Sequence, residues 1–122
     1  MSWYKKKQYF YKSELACKCG CGVYLFDKEL LKILNAVRHE YGLPIFVTSG
    51  YRCKEHNDFL PNSSPTSSHR KGRAVDISCH AGNRFILVKL LIKHGVTRIG
   101  VGKDFIHADI DPMKNQERMW LY

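Results

Sequence analysis

Residues 67–77 read Ser67-Ser68-His69-Arg70-Lys71-Gly72-Arg73-Ala74-Val75-Asp76-Ile77. From Arg73 onward the stretch reads as a strand, with Ala74 and Asp76 on one face because strand side chains alternate. An acid in the middle of an apolar strand is costly unless it is paired or bound to a metal. His69 stands seven residues before Asp76, and a second imidazole follows in Asp104-Phe105-Ile106-His107. Two ring nitrogens and one carboxylate oxygen form a borderline-hard ligand set that suits zinc. Three protein ligands leave the fourth tetrahedral position open for water, the catalytic rather than the structural arrangement. Asp104 then remains to take a proton from that water, if the turn before the strand aims it there.

Working outward, Val96–Val101 and Phe105–Ile110 read as two strands joined around Gly102-Lys103, a pair that suits a tight hairpin. Phe105, His107 and Asp109 share a face of the second strand. Asp109 is therefore a rival in the site, either as a fourth ligand or as an acid that holds an imidazole. Asp111-Pro112 reads as a turn, and residues 117–122 as a last edge strand covering the core. Residues 83–94 read as a helix that is apolar most of the way round and buried against a sheet. Gly95 ends that helix, and His94 suits its last turn as a cation near the dipole's negative end. Cys79 and His80, in the turn before it, form a weak metal decoy.

On the other side, residues 54–68 read as a long polar loop without periodicity, and His56 takes a solvent or loop-packing role. Ile45–Thr48 reads as a short buried strand followed by Ser49-Gly50-Tyr51-Arg52. An arginine just past a strand end, beside a site, can bind a carboxylate with a planar fork; the plain alternative is a salt-bridged arginine. Asp27 is placed to cap a helix over residues 28–41, with Leu30, Leu31, Leu34, Val37 and Tyr41 on its apolar face. Gly42 ends that helix, Pro44 stops it restarting, and His39 falls on the surface side. Cys17-Lys18-Cys19-Gly20-Cys21-Gly22 reads as a tight loop holding reduced thiols. A second metal at Cys17, Cys19 and Cys21 is the alternative, although the spacing is not that of a standard zinc knuckle. Residues 1–12, with Trp3, Tyr4, Tyr9, Phe10 and Tyr11 among lysines, read as an N-terminal arm that packs its rings onto the domain; a nucleic-acid stacking surface is the alternative.

The chain has 122 residues, enough for one domain, so residues 1–122 are expected to form a single unit with no internal linker. Hydrophobic residues make up 44% and charged ones 25%, the balance of an ordinary soluble globule. No apolar run reaches the roughly 18 residues of a membrane span. Five cysteines without a signal peptide argue against a disulfide framework and for synthesis in the cytoplasm. A net charge of +9 favours a polyanionic partner, although the basic residues are scattered among acids. The small size and the lack of heptads point to a monomer.

Taken together, Ser67-x-His69-x-x-Gly72-x-Ala74-x-Asp76 and Asp104-x-x-His107 resemble the zinc D-alanyl-D-alanine carboxypeptidases and the phage or bacterial L-alanyl-D-glutamate endopeptidases of the hedgehog/DD-peptidase fold. Cys17-Lys-Cys-Gly-Cys-Gly and Ser49-Gly-Tyr-Arg-Cys-x-x-His-Asn57 are similar to a small single-domain subset, and the resemblance spans most of residues 13–110. It implies an α+β fold with a central antiparallel sheet flanked by helices. It implies one catalytic zinc on His69, Asp76 and His107, with Asp104 as the acid that activates water. Arg52 would lie near the scissile carbonyl or a substrate carboxylate, and Ser67 would line the substrate groove. The implied substrate is a peptidoglycan stem peptide, cut as an endopeptidase or a carboxypeptidase after release to the cell wall, with anionic wall polymers as partners for the positive charge. A binding module that keeps zinc only for structure is the alternative from another class, and a nucleic-acid binder is a more distant one.

Overall fold

A computed structural model describes residues 8–21, 23–61 and 63–122. The part of the arm before residue 8, with Trp3, Tyr4 and the three lysines, lies outside the described residues. The elements run α1 (Lys12–Leu15), α2 (Lys28–Tyr41), β1 (Val47–Ser49), α3 (Lys54–Phe59), a 3-10 turn (Ser68–Lys71), β2 (Ala74–Ser78), α4 (Ala81–Lys93), β3 (Arg98–Val101), β4 (Phe105–Asp109) and β5 (Arg118–Leu121). The fold is α+β, built on one sheet of order β1-β2-β4-β3-β5. Every pairing is antiparallel except β3 with β5, which is parallel.

Helix α2 forms as its sequence dictates. Asp27 Oδ1 accepts from the amides of Glu29 (2.7 Å) and Leu30 (3.2 Å), satisfying two N–H groups that have no partner inside the helix. Gly42 stops the helix in the left-handed region, at φ 77°, which side chains disfavour. Its buried stripe of Leu30, Ile33, Leu34 and Val37 meets Leu87, Leu90 and Leu91 of α4 and the inward residues Val75, Ile77, Ile99, Ile106 and Ala108 of the sheet. Truncating one of these, such as Leu34, costs about 2–5 kcal/mol. The helices therefore take one face of the sheet. The period of two then turns Asp76, His107 and Asp109 to the other.

Several expectations change. Residues 54–59 form α3 rather than loop: the Cys53 Sγ accepts from the amide of His56, a thiol cap that polar residues without apolar periodicity do not announce. Helix α4 is less buried than its composition suggests, with Phe85 80% and Ile92 52% exposed, because only its Leu87, Leu90 and Leu91 side meets α2 and the sheet. His94 closes α4 against Glu40, Nε2 to Oε1 at 2.9 Å, as well as sitting near the helix end. His39 is not a bare surface residue: the Tyr9 hydroxyl lies 2.9 Å from its Nδ1. Tyr9 packs against the core and Phe10 is buried in it, while Tyr11 is exposed. Strand β5 is the sheet edge. Its parallel pairing with β3 sets Met119 beside the buried Ile99 on the helix side and Trp120 beside Gly100 on the other, where Trp120 and Tyr122 line a cleft.

Candidate metal centre

Register builds the site. Asp76 of β2 stands directly opposite His107 of β4, and Ala74 opposite Asp109. His69 arrives from the 3-10 turn, whose start is fixed by the Ser67 Oγ accepting from the His69 amide at 3.3 Å. Gly72 ends the turn at φ 68°, and there is no room for a side chain, since a Cβ would meet the Leu25 carbonyl oxygen at 2.2 Å. These three side chains each offer a ligand atom, all within 4.8 Å of one another. His69 and His107 are buried, and Asp76 is mostly so.

The rings are held in opposite senses. Nδ1 of His69 lies 2.8 Å from the Gly50 carbonyl, so it carries the hydrogen and donates. That leaves the lone pair on Nε2, which sits 3.3 Å from Asp76 Oδ1 yet has no hydrogen bond among the described residues. A buried, partnerless nitrogen lone pair beside a carboxylate is poor in water-free surroundings and well placed for a cation. His107 has a carboxylate at each end: Asp76 Oδ1 is 2.9 Å from Nδ1 and Asp109 Oδ2 is 2.6 Å from Nε2. Burial alone lowers the His107 pKa, but the hydrogen bonds to Asp109 and Asp76 outweigh it and raise the value. Burial likewise raises the Asp76 pKa, and the two histidines outweigh it and hold it well below the usual carboxylate range. The donor set fits a zinc ion, which would replace the proton between Asp76 and Nδ1 while Asp109 keeps its hold on Nε2.

The three residues open onto a cleft of about 500 Å³. Arg52 is in its wall, with Nη2 3.5 Å from Asp76 Oδ2, Nε donating to Ser49 Oγ and Nη1 to Asn57 Oδ1. Ser67 lines it as well. Asp109 is the more buried of the two acids lining the cleft, also paired with Arg98 Nε at 2.9 Å and accepting from the Asp111 amide at 3.2 Å. Its Oδ2 contact to His107 Nε2 has the form of an acid that holds an imidazole. Asp104 is placed differently. It lies exposed in the turn before β4, makes no side-chain hydrogen bond or ion pair among the described residues, and is not part of the cleft wall, although its neighbour Phe105 is. Among the described residues, Cys79, His80 and His56 join no potential metal cluster.

Sequence reasoning missed the far wall. Trp120 packs its ring 5.5 Å from that of His107, Tyr122 lies 5.0 Å from Phe105, and Arg98 stacks over Trp120 at 5.0 Å. The signal available was Gly100, a glycine inside a strand, which marks a close approach. A Cβ there would meet Trp120 Nε1 and Tyr122 Cε2 at 2.6 Å, and Gly100 pairs with His107.

No curated protein matches the chain. A family model described as Peptidase M15 matches residues 8–109 of the 122, from the buried Phe10 segment through β4, leaving β5 and the segment before it outside the match. That span holds all three converging residues and Arg52, and a family of metallopeptidases acting on peptides accounts for a histidine–aspartate–histidine centre at the base of an open cleft: the chain belongs to the peptidase M15 family.

Proposed function

We propose that the chain is a zinc-dependent peptidoglycan peptidase that hydrolyses an amide bond in the stem peptide, as an endopeptidase or a D,D-carboxypeptidase. The observation that carries this reading is the convergence of His69, Asp76 and His107 at the floor of a cleft that is open to solvent and walled by Arg52. When bound there, zinc supplies a Lewis acid for the scissile carbonyl and lowers the pKa of a water toward neutrality. Arg52 uses three of its N–H groups internally, which leaves donors to meet a substrate carboxylate or the developing oxyanion. Ser67 and the Trp120–Tyr122 wall position the peptide on either side.

Asp104 takes the proton of the attacking water and returns it to the leaving amine. Supporting this, the two acids in the cleft wall are already engaged: Asp76 by both histidines and Arg52, Asp109 by His107, Arg98 and the Asp111 amide. Asp104 has no such commitment, and it adjoins Phe105 on the wall. A second reading gives Asp109 the proton, because it lines the cleft and Asp104 does not. The net charge of +9 suits attraction to anionic wall polymers after release from the cell that makes the protein.

Mass spectrometry of purified peptidoglycan digested by the zinc-loaded protein tests the reading. New termini at one stem-peptide bond, absent with Asp104→Asn, support the peptidase and its base and identify which bond is cut. Cleavage that survives Asp104→Asn but is lost in Asp109→Asn with zinc held saturated in its site transfers the proton to Asp109. No cleavage on several wall types, with zinc bound, favours instead a non-catalytic binding module of the same fold.

A further inference from the structure

Away from the cleft, the chain brings four thiols together. Cys17 Sγ lies 3.4 Å from Cys19 Sγ and 3.6 Å from Cys53 Sγ, and Cys19 lies 3.6 Å from Cys53. Cys21 completes the group, with all four sulfurs within 4.8 Å of one another. We propose that Cys17, Cys19, Cys21 and Cys53 bind a second zinc ion, a structural one, in a tetrahedral four-thiolate site.

The geometry argues for one ion. With Zn–S bonds of about 2.3 Å, tetrahedral ligand sulfurs stand roughly 3.8 Å apart. These three separations are slightly inside that value, so a small outward adjustment accommodates a single ion, and an iron–sulfur cluster would not fit between them. Four soft thiolates around a tetrahedral hole select zinc among the common divalent ions. All five cysteines are free, and no two of these four are singled out as a pair. The sulfurs also receive backbone donors of the kind that steady thiolates. The Cys53 amide donates to Cys17 Sγ, and the His56 amide to Cys53 Sγ, both at 3.4 Å.

The sequence hid this site because three ligands at alternate positions look incomplete. The loop can fold so tightly because Gly20 takes φ 94° and the Cys17 amide closes onto the Val23 carbonyl at 3.0 Å. The fourth ligand comes from the start of α3, far along the chain. A zinc there would pin residues 17–21 to the Ser49–Cys53 segment. That segment supplies the Gly50 carbonyl that orients His69 and the Arg52 that pairs with Asp76. The Tyr51 amide already ties it to the Leu15 carbonyl at 2.8 Å, and Tyr51, Cys17 and Cys53 form a small buried cluster of their own. The ion would thus stabilise one wall of the cleft without touching it.

The test is metal content of the full chain, purified under reducing conditions and analysed by elemental mass spectrometry. Two zinc ions per chain are expected. His69→Ala with His107→Ala should leave one, Cys17→Ser with Cys53→Ser should leave one, and Cys79→Ser should leave two. Should the double cysteine variant fail to fold, Cys21→Ser serves in its place, with expected weakening of one ion. Cobalt(II) loaded into the His69→Ala, His107→Ala protein should show the intense near-ultraviolet thiolate charge-transfer band and tetrahedral visible bands of a four-sulfur site. A single zinc that disappears with the histidines, iron in place of zinc, or a denatured chain whose thiol count reveals disulfides among these four would each overturn the proposal. The peptidase reading is judged separately: failure to cut the wall with two ions bound would refute that reading and leave this one standing.

Discussion

Asp109 holds His107 by the far side of its ring, Oδ2 to Nε2 at 2.6 Å, so that Nδ1 is left to face Asp76 and the site. Supporting carboxylates of this kind fix the tautomer and raise the basicity of a ligand. Asp109→Asn keeps the shape but can present an amide N–H to Nε2, which would favour the wrong tautomer. Zinc affinity at the His69–Asp76–His107 site should fall about 10–100-fold. A competition titration with a chromophoric chelator, read on the Cys17→Ser, Cys53→Ser variant to isolate the site, measures this. Unchanged affinity would mean that packing against Trp120 alone orients the ring.

The two carboxylates around His107 also set a pH dependence. Its pKa is raised, because Asp109 and Asp76 outweigh the opposing effect of burial. In the metal-free chain the proton on His107 therefore stabilises the fold fully below the ordinary histidine value of about 6.5. That contribution is lost as pH rises through the elevated folded value. Zinc must displace this proton from Nδ1, so affinity should go on improving as pH climbs above about 6.5, where a free histidine would already have finished titrating. Chelator titrations at about pH 6, 7 and 8, with thermal melts of the metal-free protein alongside, check both halves. Affinity that is flat across that range would mean that zinc displaces no proton from His107, against its place as a ligand.

How far the sequence carries depends on the range of each interaction. His69, Asp76 and His107 were readable because an acid in an apolar strand demands a partner, and strand alternation puts His107 and Asp109 on a common face. Helix α2 was readable because its cap, stripe and terminating glycine are all local. Cys53 was not, since nothing near it signals that its sulfur faces a loop more than thirty residues earlier. Nor was the placement of β5, since a parallel pairing with β3 depends on the path of the whole segment after Asp109. The position of Asp104 shows the same limit. Its spacing from His107 is local, but whether its carboxylate reaches the cleft depends on a turn whose direction is set by contacts elsewhere, among them the Cys79 amide on its carbonyl at 2.9 Å.

Trp120 tests whether β5 is part of the working cleft. Its ring stands against His107, and Arg98 lies over its face. Trp120→Ala removes a wall of the cleft while leaving the three ligands and their supports in place. Zinc content should stay unchanged and KM for a stem-peptide substrate should rise several-fold, with a smaller effect on kcat, the pattern of lost ground-state binding. Steady-state kinetics with a synthetic stem peptide separates the two. A large loss of kcat at constant KM would instead implicate Trp120 in orienting His107.

Asp111 is the brace under the turn that carries His69. It is fully buried, and its Oδ2 accepts from Ser68 Oγ and Lys71 Nζ, both at 2.9 Å, while Oδ1 accepts from the Met113 amide at 3.0 Å. Burial pushes its pKa up, but Lys71 and these hydrogen bonds outweigh it and bring the value down from 3.8 to about 2. A depressed carboxylate contributes stability that is complete above the unfolded pKa and lost as pH falls through the folded one. The window is thus about pH 4 down to about pH 2, and the contribution above it is on the order of 2 kcal/mol. Asp111→Asn should destabilise the fold by roughly that amount at neutral pH, by leaving the Lys71 charge without its partner. The gap to the parent chain should narrow as pH falls from about 4 to about 2. Urea denaturation of both proteins across this range measures it, and a gap that stays constant with pH would mean that Asp111 acts through shape and not through its charge.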